Sequence, residues 1–355
     1  MIDLYKTFRP ALPLIDAESG HRLALWALRK GWVAEDRASD DPILRCRLFG
    51  FELSNPVGLA AGFDKNAVAV RREQTLGFGF IEIGGVTPKP QAGNPRPRLF
   101  RLDQDRAVIN RMGFNNLGMV EIARRLQQRD RHSGVVGINL ASNSDSTDPA
   151  QDFDRLIETF TPIADYMTVD ISCPNTPNGK VFQQRAPLEK LLAQLQLTRA
   201  ATAQAAGINP PPMLIKSAPD LTEQERNDIA EVALSSGIDG MIVSNTTVAR
   251  PASLRSRHVG ERGGLSGRPL FEMSTRLLAE MYALTQGKLP LIGVGGISSG
   301  ADAYAKIRAG ASAVQLYSAL VFAGPRLIRQ IKDDLAACLR RDGFSSLQQA
   351  IGAGL

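Results

Sequence analysis

"GLAAGFDK", residues 58–65, closes the first strand-like run of the chain, and its wording separates two folds. An open doubly wound sheet tends to carry a Gly-x-Gly-x-x-Gly turn after its first strand, where a helix N-terminus receives a pyrophosphate. "GLAAGFDK" is not that turn. From it outward the chain keeps one rhythm, a short apolar or β-branched run followed by a longer run of helical period. The strand candidates are "NPVGLAA" (55–61), "FIEIGGV" (80–86), "VVGINLA" (135–141), "YMTVDIS" (166–172), "PMLIKSA" (212–218), "GMIVSN" (240–245), "PLIGVGG" (290–296) and "AVQLYSA" (313–319). Helical segments between them include 118–131, 187–206, 222–236, 269–286, 300–309 and 325–341. Eight strands, each followed by a helix, predict an α/β (β/α)₈ TIM barrel.

Composition agrees with a globular enzyme-sized chain. Its 355 residues hold either one large α/β domain or two ordinary ones, 43% of them hydrophobic and 22% charged, so there is ample core. Three cysteines (Cys46, Cys173, Cys338) are too few and too scattered for a disulfide framework or a zinc site, and a reducing compartment is the simpler expectation. Three histidines without ligand-like spacing argue against a metal centre. The net charge of +6 is dispersed, with no dense basic run carrying interleaved aromatics, so no nucleic-acid partner is expected.

No apolar run approaches the ~20 residues of a membrane span, and the N-terminus lacks a signal peptide's continuous apolar region. It carries an amphipathic stretch instead, broken by Pro10 and Pro13. Asp16 or Ser19 is placed to cap a second helix holding Leu23, Leu25, Trp26 and Leu28. The commoner arrangement for such a helix is packing on the protein body. The sharper reading is a small two-helix lid whose Lys6, Arg9, Arg22, Arg29 and Lys30 meet anionic lipid. The organisation expected is a helical lid over residues 1–40 and a barrel over 41–355.

Two long insertions, 87–116 and 246–269, follow strands two and six directly. Both therefore fall at the C-terminal face of a barrel, where active sites form, and long segments without structure of their own are commonly functional. The strand ends there hold chemistry. "GVGGISSG" (293–300) closes strand seven and opens a helix, a combination that suits a phosphate, with Tyr317 and Ser318 after strand eight. Lys65, Asn139, Lys216, Ser244, Asn245 and Thr246 lie at other strand ends. A lysine inside "LIKSA" is costly to bury alone. It either meets a nearby carboxylate or faces a ring that becomes anionic during turnover, such as a reduced flavin.

The motifs "SNPVGLAAGFDKN", "GFIEIGGVTPKPQAGNPRPRLFRL", "INRMGFNN", "SCPNTP", "KSAPDLT", "SNTT", "GGLSGRP", "IGVGGI" and "VQLYSAL", in this order over about residues 4–335, resemble dihydroorotate dehydrogenase. The N-terminal lid and "NRMGFNN" resemble class 2, the membrane-associated, quinone-reducing branch. The resemblance implies a (β/α)₈ barrel that binds FMN and oxidises dihydroorotate to orotate in pyrimidine synthesis. By resemblance, FMN is held by Ala61, Gly62, Lys65, Gly85, Asn139, Asp170, Lys216, Ser244, Gly267, Gly295, Gly296, Tyr317 and Ser318. The substrate meets Lys65, Asn110, Arg111, Met112, Gly113, Phe114, Asn175, Asn245 and Thr246. The lid forms a tunnel for ubiquinone or menaquinone, and the implied enzyme is a monomer, peripheral on the cytoplasmic face of a bacterial inner membrane.

Two departures bear on the chemistry. Class 2 enzymes read Asn-x-Ser-Ser-Pro-Asn where this chain reads Asp170, Ile171, Ser172, Cys173, Pro174, Asn175. A cysteine base is the habit of the soluble class 1 enzymes, so a class 2 skeleton here carries a class 1 base. A thiol of ordinary pKa about 8.5 supplies thiolate near neutrality with modest tuning, which suits Cys173 to take a proton from C5 while hydride leaves C6. Cys46 and Cys338 lack polar company and read as small hydrophobes. Asp170 puts a carboxyl where an asparagine touches flavin and substrate. Ionised about 4 Å from a substrate carboxylate, it would cost on the order of 4 kcal/mol at an effective dielectric of 20. Two alternatives therefore stand beside the family activity: an FMN oxidoreductase acting on another dihydropyrimidine or with another acceptor, and a flavin-binding scaffold without catalysis.

Overall fold

The computed structural model describes Tyr5, residues 14–172 and residues 181–355. In chain order its elements begin with helix α1 (Ala17–Arg29), the hairpin β1 (Cys46–Leu48) and β2 (Phe51–Leu53), strand β3 (Val57–Leu59), helix α2 (Val70–Gln74) and strand β4 (Phe80–Val86). There follow β5 (Leu99–Leu102), β6 (Ala107–Asn110), α3 (Gly118–Gln127), β7 (Val135–Leu140), α4 (Pro149–Phe160), β8 (Tyr166–Asp170), α5 (Arg185–Ala206), β9 (Met213–Ser217) and α6 (Glu223–Ser235). The chain ends with β10 (Gly240–Val243), β11 (Gly264–Gly267), α7 (Phe271–Leu284), β12 (Leu291–Val294), α8 (Gly300–Arg308), β13 (Ala311–Leu316), α9 (Ser318–Ala323), α10 (Leu327–Arg341) and α11 (Leu347–Ala350).

Strands β3, β4, β7, β8, β9, β10, β12 and β13 close a parallel barrel in chain order, β13 pairing back onto β3. They read as largely apolar runs because a barrel strand is covered on both faces; all seven residues of β4 are buried. Ile81 and Ile83 face the shell of helices, and Phe80 faces the lumen with Tyr166, Leu214, Ile242 and Ile292. Large lumen rings need small partners. A Cβ on Gly137 would stand 2.0 Å from the Tyr166 ring, so only glycine fits there. The β1–β2 hairpin caps the N-terminal end of the lumen, its two-residue turn (Phe49, Gly50) in the left-handed region and the Phe49 ring 6.0 Å from that of Tyr166.

The insertions differ from their reading as structureless segments. Each contributes strands, and β6 pairs antiparallel with both β5 and β11, so residues from the two insertions form one three-stranded sheet across the barrel's C-terminal mouth. Helix α1 is capped by Asp16, whose carboxylate accepts from the N–H groups of Glu18 and Ser19. Glu18 then accepts from the guanidinium groups of Arg96 and Arg98 at 2.9 Å, which ties α1 to the first insertion. Behind it, Asp36 and Asp40 bracket the buried Lys332 of α10 at 2.9 and 2.6 Å.

Candidate active site

A cavity of about 210 Å³ opens at the C-terminal ends of the barrel strands, beneath the three-stranded sheet. Its wall is assembled from every quarter of the barrel. Strand β3 and its loop bring Ala61, Gly62 and Lys65; β4 brings Gly85, β7 Asn139, β8 Asp170 and β9 Lys216. The loop after β10 brings Ser244, Asn245 and Thr246, the β12 turn Gly295 and Gly296, and the end of β13 Tyr317 and Ser318. From the insertions come Asn110, Met112, Gly113, Phe114 and Gly267.

Two of the expected residues, Cys173 and Asn175, lie outside the described residues. Arg111 is described but does not line the cavity. Its guanidinium pairs with Glu261 at 2.7 Å and lies 4.6 Å from the centre of the Phe100 ring, so it joins the two insertions to each other. Other lining residues were not read from the sequence: His21, Arg106, Ser266 and Gln315. Gln315 had a signal, a polar side chain inside the apolar run "AVQLYSA". His21 had none, because only the docking of α1 brings it to the barrel.

Charge at the floor is organised by β8 and β9. Asp170 and Lys216 are register partners on these neighbouring strands. Burial raises the Asp170 carboxyl above its ordinary range, with Lys216 opposing. Asp170 accepts from Ser172 Oγ at 2.9 Å and from Asn245 Nδ2 at 3.2 Å, while the Asn245 amide oxygen accepts from the Thr246 N–H at 2.8 Å. Lys216 thus has its carboxylate neighbour and still lines the cavity. At the β3 end, Lys65 donates to the Gly62 carbonyl at 2.6 Å. Burial lowers its ammonium to about 8, with Asp64 and Glu18 opposing. Burial, with Lys65 adding, pushes the His21 imidazole down to about 3, so it is neutral where it meets the Tyr317 hydroxyl at 3.3 Å and the Phe63 ring edge-on at 5.4 Å.

One layer deeper, Glu82 accepts four bonds: from Asn139 Nδ2 (3.2 Å), Gln315 Nε2 (3.1 Å), the Tyr166 hydroxyl (3.0 Å) and Thr168 Oγ1 (3.3 Å). A carboxylate that only accepts must take the amide nitrogens. The acceptor ends of both amides, Asn139 Oδ1 and Gln315 Oε1, are left buried without a partner among the described residues.

These features fit a flavin mononucleotide. The two orphaned amide oxygens suit the N–H edge of a ring. Two lysines suit a ring or substrate that carries negative charge. At the other end of the cavity, among the described residues, the N–H groups of Gly295 and Gly296 have no backbone acceptor, and the Ser266 and Ser318 hydroxyls lie 2.7 Å apart. That end suits a phosphate. Cys46, remote from this site, is pushed up to about 12 by burial, with Glu52 adding, which leaves it a small hydrophobe.

Comparison with known proteins points the same way. Residues 43–339 match the family model of dihydroorotate dehydrogenase. The chain is 54% identical over 353 residues to the dihydroorotate dehydrogenase (quinone) of Rhodospirillum rubrum, covering 99% of this chain and 95% of that one. It is 50% identical over 356 residues to the enzyme of the same description from Azorhizobium caulinodans, each covered in full. Among solved structures, the DHODH of Eimeria tenella in complex with ferulenol superposes with a TM-score of 0.91 at 41% identity over 95% of both chains. A ligand-free DHODH from the same organism gives 0.89 at 42% identity, over 95% of this chain and 99% of that one.

Proposed function

Because the chain belongs to the dihydroorotate dehydrogenase family, we propose that its cavity holds FMN beside dihydroorotate and that Cys173 takes the proton the substrate loses. The protein is an oxidoreductase that oxidises dihydroorotate with a quinone as acceptor, in pyrimidine biosynthesis. It is a flavin enzyme by family. The observation that carries the finer reading is that every described residue expected to hold the flavin lines one cavity at the barrel's C-terminal face.

Within that reading, Gly295, Gly296, Gly267 and Ser318 hold the phosphate, and Lys216, Asn139, Asp170, Ser244, Ala61 and Gly62 hold the ring. Bound there, the flavin supplies the acceptor for hydride from C6 of the substrate. Lys65, Asn110, Met112, Gly113, Phe114, Asn245 and Thr246, with Asn175, orient the substrate. Phe114 and the insertion sheet exclude water from it. Arg111 belongs to the support of that sheet, through Glu261.

The quinone, ubiquinone or menaquinone, enters beneath the lid of residues 1–40. Exposed apolar side chains on and beside α1 support a peripheral membrane contact: Leu14, Leu23, Trp26 and Trp32, the last two ring to ring at 4.6 Å. Among the described residues no helix is long and apolar enough to cross a membrane. The protein works as a monomer at the inner face of a bacterial membrane.

The test is anaerobic reduction of the bound flavin by dihydroorotate. The parent bleaches. Cys173→Ala keeps its FMN and bleaches about 100-fold more slowly, the usual weight of one acid–base group, and the parent rate rises with pH as thiolate forms. A Cys173→Ala protein that bleaches at the parent rate leaves the base elsewhere.

A further inference from the structure

A lysine is buried directly behind the glycine turn of β12. Lys306, on α8, is wholly buried, and among the described residues no carboxylate lies within ion-pair distance of it. Its Nζ donates to Ser274 Oγ at 2.8 Å and to Thr275 Oγ1 at 2.9 Å, both on α7, and stands 5.2 Å from the centre of the Phe271 ring. Burial lowers this ammonium to about 7, Asp302 opposing. Two hydroxyls offset only part of what it costs to take a charge out of water, and an apolar side chain of the same length would fill the space more cheaply.

The connection to the cavity runs through Ser274. Its hydroxyl lies 3.1 Å from the carbonyl oxygen of Gly295, and also 3.1 Å from that of Phe271 one turn back on its own helix. With Lys306 donating to the serine oxygen, the serine's own proton is free to reach Gly295. In a planar trans peptide the next N–H points opposite to the carbonyl. Drawing the Gly295 carbonyl toward α7 therefore turns the Gly296 N–H the other way, toward the cavity that both glycines line. The turn is also pressed hard on α7: a Cβ on Gly296 (φ +78) would stand 2.6 Å from the Phe271 nitrogen.

We propose that Lys306 is a positioning residue for the cofactor phosphate, holding the Gly295–Gly296 turn through Ser274 and placing a positive charge one layer behind the anion. The inference rests on the phosphate seat proposed above. It differs from a packing role in one readout, because a charge and a peptide aimed at a phosphate matter to FMN and not to riboflavin, which has the same ring and no phosphate.

Full-length protein freed of flavin is titrated with FMN and with riboflavin, following flavin fluorescence. The parent should bind FMN much more tightly than riboflavin. Lys306→Met, which keeps the length and apolar stem, should weaken FMN about tenfold or more, the weight of a hydrogen bond to a charged group, while riboflavin changes by less than about threefold. Ser274→Ala should move FMN in the same direction by less, and it carries the test if the Met variant does not fold. An unchanged FMN-to-riboflavin ratio in both variants would overturn the role of Lys306. No preference for FMN in the parent would overturn the phosphate seat itself, and this inference with it.

Discussion

Glu82 and Glu73 stand on opposite sides of one strand wall and meet opposite fates. Glu82 projects from β4 into the barrel lumen, 1% exposed, and receives four hydrogen bonds. Glu73 lies on α2 in the shell between helices and barrel, 0% exposed, and neither of its oxygens has a partner among the described residues. The lumen beneath the cavity is built in polar layers, with Asn139, Tyr166, Thr168 and Gln315 converging on Glu82 from strands β7, β8 and β13. The shell is closed by Leu, Ile and Val side chains, which have nothing to donate. Burial alone thus does not say what a carboxyl does; the donors that the tertiary fold brings around it do. Asp170, at the lumen's mouth, falls between the two, with Ser172, Asn245 and Lys216 for company.

The largest effect expected from this contrast is at Glu82. Glu82→Leu fills the space but strands the amides of Asn139 and Gln315 and the hydroxyls of Tyr166 and Thr168. It should cost about 3–5 kcal/mol in denaturant unfolding and release the flavin. A variant that keeps both its midpoint and its flavin would mean that the lumen donors find other acceptors.

Glu73 should respond in the reverse sense. Burial, with Asp64 adding, holds its carboxyl well above the ordinary carboxylate range in the folded state. Below about pH 4.5 folded and unfolded chains both carry the proton. Above it the unfolded chain releases the proton and the folded one resists, so stability is lost as pH rises. Glu73→Met should therefore be more stable than the parent by on the order of 1–3 kcal/mol at pH 7, the cost of a buried polar group without a partner, with less advantage at pH 4. Melting curves at the two pH values decide it, and an advantage that shrinks with rising pH would contradict this assignment.

Asp170 should give the smallest effect and the most informative one for catalysis. Its carboxyl is raised by burial, with Lys216 opposing. As pH rises through that range it ionises and repels the carboxylate of orotate, so orotate affinity in the parent should fall with pH. Asp170→Asn should bind orotate up to about tenfold more tightly at neutral pH and show a flatter profile. Equal affinities and parallel profiles would mean that Lys216 neutralises Asp170 throughout.

Much of this was open to reading in the chain itself. Barrel strands are buried on both faces, so "FIEIGGV" and "YMTVDIS" stand out as short apolar or β-branched runs despite single polar residues, and residues at their C-terminal ends fall at one mouth by topology. Lys65, Asn139, Lys216, Ser244 and the Gly295–Gly296 turn are at or near such strand ends, and they line one cavity. The cap at Asp16 was readable too, because capping is settled within one turn of chain.

Only the tertiary structure decided the rest, because it depends on pairings between distant segments. "RLFRL" and "AVIN" pair with each other, and "AVIN" takes its second partner, β11, from the other insertion more than 150 residues away. Arg111 left the cavity for Glu261, and His21 entered it on a docked helix. Their sequence neighbours do not tell Glu82, Glu73 and Lys306 apart by fate: Glu82 stands between two isoleucines, Glu73 beside Arg72 and Gln74, and Lys306 between Ala305 and Ile307. What separates them is whether donors, nothing, or two hydroxyls on a neighbouring helix stand within three ångströms or so of the buried charge. Local propensity and periodicity do not carry that information, since hydrogen bonds between elements are a property of packing.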